Sequence, residues 1–101
     1  MSVLHIVNKS PSSCATLHSC LRYARPGDAL LLIEDGVYAA TGGNLAGAAL
    51  RGALERLQVH ALRPDLEARG MVAQLIEGVT LVDYGGFVDL AALHHTSHAW
   101  L

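Results

Sequence analysis

Two thiols, Cys14 and Cys20, stand near the start of the chain with five residues between them. Thiol chemistry needs a thiolate that is partly exposed, in a positive or helix-N-terminal setting that lowers its pKa. The spacing matches neither a metal-binding pair nor a thioredoxin motif, and two cysteines are too few for a disulfide framework, so both are expected as free thiols. Cys14 falls in the first turn of a predicted helix, where the backbone dipole favours its thiolate. It also lies near that helix's apolar face, where small buried cysteines are common. Cys20 is at the flank of the same stripe, with His18, Arg22 and Tyr23 as sequence neighbours. It suits either the edge of a core or a thiol facing a partner.

Other constellations carry weaker chemistry. His94, His95 and His98 would present imidazoles at metal-ligand spacing if the tail were helical, but no carboxylate or cysteine completes a shell, and a terminal segment is expected to fray. Surface or interface histidines are the better reading, and no metal is expected. Ser10, Ser12 and Ser13 sit in no G-x-S-x-G nucleophile elbow. Asp35 and Asp83 could form an acid/base pair if the fold joined them, although aspartates at strand ends ordinarily cap the turns and helices that follow. Gly42-Gly43 matches neither the phosphate-binding loop nor the dinucleotide fingerprint, and reads as a loop leading into a helix. No cofactor is expected.

These residues must be placed by regular elements. Val3 to Val7 is short, β-branched and apolar, and Asn8-Lys9-Ser10-Pro11 ends it, which predicts a first strand. Ser10 suits an N-cap with Pro11 at the first helical position. From there Cys14, Leu17, Cys20, Leu21 and Ala24 share a helical stripe, and Arg25-Pro26-Gly27 ends the helix. Ala29 to Ile33 is a continuous apolar run, the pattern of a strand covered on both faces. Asn44 to Leu57 predicts a second helix capped by Asn44. Val59 to Leu62 is a third strand, Pro64 and Asp65 open a further helix, and Gly70 is a natural C′ residue. Val79 to Val82 is a fourth strand. Phe87 to Leu93 fits a last helix before the tail His94 to Leu101.

Strand alternating with helix implies parallel strands joined by right-handed crossovers. The expected fold is α/β: one domain over residues 1–101, a small, open, mostly parallel sheet of four to five strands with helices on both faces. The carboxyl ends of such strands form the functional rim. Here that rim collects Asn8, Lys9, Asp35, Tyr38, Asp83 and Tyr84.

Half of the residues are hydrophobic (51%) and only 16% are charged, against roughly a quarter charged in ordinary domains. A chain this short hides only about 60–70% of its unfolded surface, so some apolar excess stays outside unless a partner covers it. An oligomer or a subunit of a larger assembly is expected. The net charge of −2, without a basic run, disfavours direct nucleic-acid binding. No segment approaches the length of a membrane span or has a secretory pattern. A cytoplasmic protein is expected.

The order and spacing of several segments resemble the DsrH/TusB family. They are Leu4-His5, Asn8-Lys9-Ser10-Pro11, the stretch Leu31 to Ala40 with Glu34-Asp35-Gly36 at its centre, and Pro64 to Gly70. Val82-Asp83-Tyr84, Phe87-Val88-Asp89-Leu90 and Ala99-Trp100 complete the set, which runs through nearly the whole chain. The resemblance is closest to DsrH. It implies a subunit of a DsrEFH- or TusBCD-type complex, a dimer of heterotrimers with DsrE/TusD-like and DsrF/TusC-like partners. It also implies upstream and downstream sulfur carriers and passage of sulfur as a cysteine persulfide. The destination would be intracellular sulfur oxidation or 2-thiolation of the tRNA wobble uridine, with the principal sulfur-accepting cysteine on the DsrE/TusD-like partner. Ser19-Cys20-Leu21 stands where DsrH proteins of sulfur oxidisers carry a cysteine, which makes Cys20 the candidate persulfide carrier. Cys14 has no such counterpart and is expected to be structural. The alternative is a non-catalytic scaffold that positions the sulfur-carrying partner.

Overall fold

The computed structural model describes residues 2–11, 15–42 and 45–100, Leu45 by its backbone alone. The elements run β1 (Val3–Val7), α1 (Thr16–Tyr23), β2 (Ala29–Leu32), a 3-10 helix (Glu34–Ala40), α2 (Leu45–Ala53) and β3 (Gln58–Leu62). They continue with α3 (Arg63–Ala68), a short 3-10 turn (Val72–Gln74), β4 (Thr80–Val82), α4 (Tyr84–Leu93) and β5 (Thr96–Trp100). The strands form one sheet in the order β4-β3-β2-β1-β5, and every neighbouring pair is parallel. This is the expected α/β architecture, with five strands.

Strand periodicity divides the core. Val7, Leu30, Leu32, Val59 and Ala61 point to one face and pack against Leu17, Cys20 and Leu21 of α1 and Leu50 and Ala53 of α2. Leu4, Ala29 and Leu31 point to the other face, against Leu90 and Phe87 of α4. All four residues of β2 are buried, because its neighbours lie on both edges and helices on both faces. That is why the sequence there must be apolar without interruption.

The turn after β2 is tight. Glu34 adopts a left-handed φ of 50°, and its N–H donates to Asp65 Oδ2 at 2.6 Å. Gly36 follows where no side chain fits: a Cβ there would lie 2.3 Å from the carbonyl oxygen of Val7. Gly70 (φ 64°) closes α3 as expected. Its N–H donates to the Glu67 carbonyl and that of Met71 to the Leu66 carbonyl, the paired bonds of a Schellman motif.

Two expectations are corrected. α1 begins at Thr16 with Ala15 at its N-cap, so Ser10 and Pro11 precede the helix rather than open it. A Ser-Pro pair serves a turn equally well, and Pro11 lies in one. The tail neither frays nor forms a helix. Thr96–Trp100 pairs along its full length with β1, His5 opposite His98 and Val7 opposite Trp100, so the three histidines never reach helical spacing. Cys14, Ser12, Ser13, Gly43 and the expected cap Asn44 lie outside the described residues.

Candidate functional site

Cys20 projects from α1 into the core between helix and sheet and is fully buried. Burial is the largest influence on its thiol and pushes the pKa up to about 12; Arg56 pulls it down and Asp28 pushes it further up. A thiol held in this way is protonated at neutral pH and shielded from a sulfur donor. Arg56 also secures the helix that covers it. Its guanidinium donates from Nη1 to the Ala24 carbonyl at 2.8 Å and from Nη2 to the Leu21 carbonyl at 2.6 Å, placing a cation on the last carbonyls of α1, where the helix dipole favours one.

Beside Cys20 lies a polar chain across three elements. His5 of β1 is completely buried, and its Nε2 is 2.9 Å from Asp28 Oδ2. Asp28, just ahead of β2, also accepts the backbone N–H of Val3 and that of Arg25, each at 3.0 Å. Burial is the largest influence on this carboxyl and raises its pKa, but the Arg25 N–H, the His5 ring and the Val3 N–H together outweigh it and hold it below the usual value. At the far side of the ring, Trp100 Nε1 donates to His5 Nδ1 at 3.1 Å. An indole nitrogen can only donate, so Nδ1 accepts, and the ring hydrogen sits on Nε2 towards Asp28. Tyr23, His98 and Trp100 stack around the outer end, with His98 and Trp100 centroids 4.8 Å apart.

The carboxyl ends of the strands carry the expected polar residues, and their carboxylates brace loops. Arg69 reaches Asp35 Oδ1 from Nε (3.1 Å) and Nη2 (3.0 Å). Asp83 caps α4 by accepting the Gly86 N–H at 2.8 Å. Asp35 ties the 3-10 helix to the end of α3 and Asp83 caps α4, the structural reading of the two. Lys9 and Tyr84 are exposed, Asn8 and Tyr38 partly buried.

The tail histidines part company. His94 Nδ1 meets Ser2 Oγ at 2.9 Å, His95 donates its N–H to the Ser2 carbonyl, and His98 joins the aromatic stack. Among the described residues, no group of three or more histidine, cysteine or acidic side chains is arranged to hold a metal ion. Sequence reasoning missed the His5–Asp28–Trp100 chain. Its available signals were a histidine inside an apolar strand and an aspartate immediately before the most buried one.

This arrangement, a sealed thiol under a helix locked by Arg56 and a buried imidazole tied to two neighbouring elements, stands on a fold with known counterparts. A protein from E. coli, ychN, superimposes with a TM-score of 0.80 at 17% identity, covering 98% of each chain. A Methanobacterium thermoautotrophicum protein of unknown function gives 0.74 at 20% identity, covering 97% of this chain and 96% of that one. At those identities the likeness is one of fold. In sequence, the chain is 42% identical to Protein TusB of Pectobacterium parmentieri over 99 residues, spanning 97% of this chain and all of that protein. Its identity to Protein TusB of E. coli K12 is 40% over 98 residues, with the same coverage. Residues 9–97 match the family described as DsrH like protein, and the chain therefore belongs to the DsrH/TusB family.

Proposed function

We propose that this chain is a subunit of a cytoplasmic sulfur-relay complex of the DsrEFH/TusBCD type, in which it shapes the assembly and positions the sulfur-carrying partner. Family membership supports the relay. The role within it rests on one observation, the burial of Cys20 beneath α1 with its thiol pushed up to about 12. Persulfide transfer requires a thiolate to attack a sulfur along an open line, and a protonated thiol in a closed core has neither property. The surface supports a subunit role as well. α4 leaves Tyr84, Val88 and Leu93 exposed, Leu93 by 78%, a surface that DsrE/TusD-like or DsrF/TusC-like partners would cover in a dimer of heterotrimers. Among the described residues, no helix is long and apolar enough to cross a membrane.

A second reading keeps Cys20 as a persulfide carrier that becomes available when α1 lifts. It is favoured by the proximity of Arg56, the cation that pulls the thiol down. Intact mass spectrometry of the chain with its partners, after exposure to a persulfide donor, separates the two. The scaffold reading expects added sulfur on the partner alone, with transfer unchanged in a Cys20→Ser complex. Added sulfur on this chain that disappears in Cys20→Ser establishes the carrier reading instead.

A further inference from the structure

We infer that Asp28, His5 and Trp100 form a proton-operated latch that holds the edge strand β5 on the sheet. β5 has one strand neighbour, β1, and its residues are exposed except for Trp100. Trp100 is therefore its main anchor in the interior, and the only hydrogen-bonding group on its ring reaches His5 Nδ1.

The bond exists in one protonation state of the imidazole. With His5 neutral, Nε2–H points to Asp28 and the Nδ1 lone pair receives the indole N–H. A second proton must go to Nδ1. It then sets an N–H against the indole N–H, breaking that bond and leaving a donor on the fully buried His5 ring without its partner, which is unfavourable. The same proton strengthens the contact with Asp28, which stays ionised, so β1 and β2 remain joined while β5 loses its anchor. The groups facing His5 reinforce the direction. Asp28 approaches from the start of β2, and Tyr23 of α1 meets it edge-on at 6.2 Å. From β5, His98 lies 6.3 Å away, ring centre to ring centre, and a proton on His98 adds repulsion. Cys20 and Arg56 lie further round the same site, Arg56 acting on Cys20. Protonation of His5 thus releases β5 and exposes the outer edge of β1 to another strand, whereas the neutral ring holds it closed.

Backbone hydrogen exchange of the full chain, followed by NMR at neutral and mildly acidic pH, tests the latch. The chain has a single tryptophan, so fluorescence reports Trp100 in parallel. The latch requires protection factors in β5 to fall on the order of tenfold on acidification, relative to β2 and β3. In Trp100→Phe, β5 should exchange quickly at both pH values, and in His98→Gln the pH response should persist. Protection in β5 that ignores pH, or that falls only in step with the whole sheet, overturns the latch. So does an undiminished pH response in Trp100→Phe. If Trp100→Phe does not fold, the His98→Gln chain decides the matter: Trp100 emission must shift to the red on acidification, and a constant emission refutes the inference.

Discussion

Replacing Arg56 with methionine should make Cys20 react faster, although it removes the one neighbour that lowers the thiol's pKa. Arg56 donates to the Leu21 and Ala24 carbonyls, and hydrogen bonds from a charged donor contribute about 1.5–3 kcal/mol each, less where solvent can replace the partner. The guanidinium is only partly buried, so a loss of about 2 kcal/mol for the pair is a fair figure. In the closed protein, a thiol at about 12 rather than 9.0 has roughly a thousandfold less thiolate at about pH 8, before access is considered. Alkylation must therefore proceed through moments when α1 is lifted, in which Cys20 titrates normally. Destabilising the closed state by about 2 kcal/mol raises the open population, and with it the labelling rate, roughly thirtyfold. The assay is iodoacetamide labelling followed by intact mass in a Cys14→Ser background, with the unfolded chain as the upper limit. A wild-type rate within tenfold of the unfolded chain, or no acceleration in Arg56→Met, would refute the picture of a thiol sealed by an Arg56-locked helix.

Gly36→Ala drives a methyl group to 2.3 Å from the Val7 carbonyl oxygen. It should lower stability by about 3 kcal/mol or more and the melting temperature by on the order of 15 °C; calorimetry showing a change of a few degrees would contradict the contact. Asp28→Asn keeps the shape but turns part of the acceptor into a donor facing His5 and the Arg25 N–H. A loss of about 2–4 kcal/mol near neutrality is expected. Because the folded carboxyl titrates below its unfolded value, its contribution is present above the unfolded pKa and disappears as pH falls through the folded one. Chemical denaturation curves of wild type and variant should therefore converge in acid, and a pH-independent gap would argue against the ionised pair. Val88→Glu alters an exposed position and should change the isolated chain's stability by no more than about 0.5 kcal/mol. It should weaken co-purification with DsrE/TusD-like and DsrF/TusC-like partners; undiminished co-purification would place the interface elsewhere.

What could be read from the sequence follows from how local the physics is. The run Ala29–Leu32 announces itself because a strand covered on both faces tolerates no polar residue. Gly70 and Asp83 do so because their bonds close within five residues. The start of α1 is not legible in the sequence, because Ser10-Pro11 carries the same local signal for a turn as for a helix cap. β5 was hard to see because an edge strand need not be apolar. Its periodicity of two survives only in His98 and Trp100 facing one way and Ser97 and Ala99 the other. The Asp28–His5 bond spans 23 residues and the Trp100–His5 bond spans 95, and no neighbouring pattern encodes partners that only the sheet order brings together.

The unequal cover on the two faces of the sheet bears on what this chain does for its partners. On one face, α1 and α2 close over Cys20, leaving it inaccessible. On the other, among the described residues, α4 packs Leu90 and Phe87 against the sheet, while Val88 and Leu93 stay out. A chain of this size leaves part of its apolar surface uncovered: Tyr23 is exposed on α1, and on the side opposite the cysteine Val88 and Leu93 are exposed on α4. A partner that docks on α4 gains hydrophobic contact without meeting the thiol. For Cys20 to accept sulfur within the complex, α1 would have to lift on the face where the core is best packed, against the two bonds that Arg56 makes to its final turn.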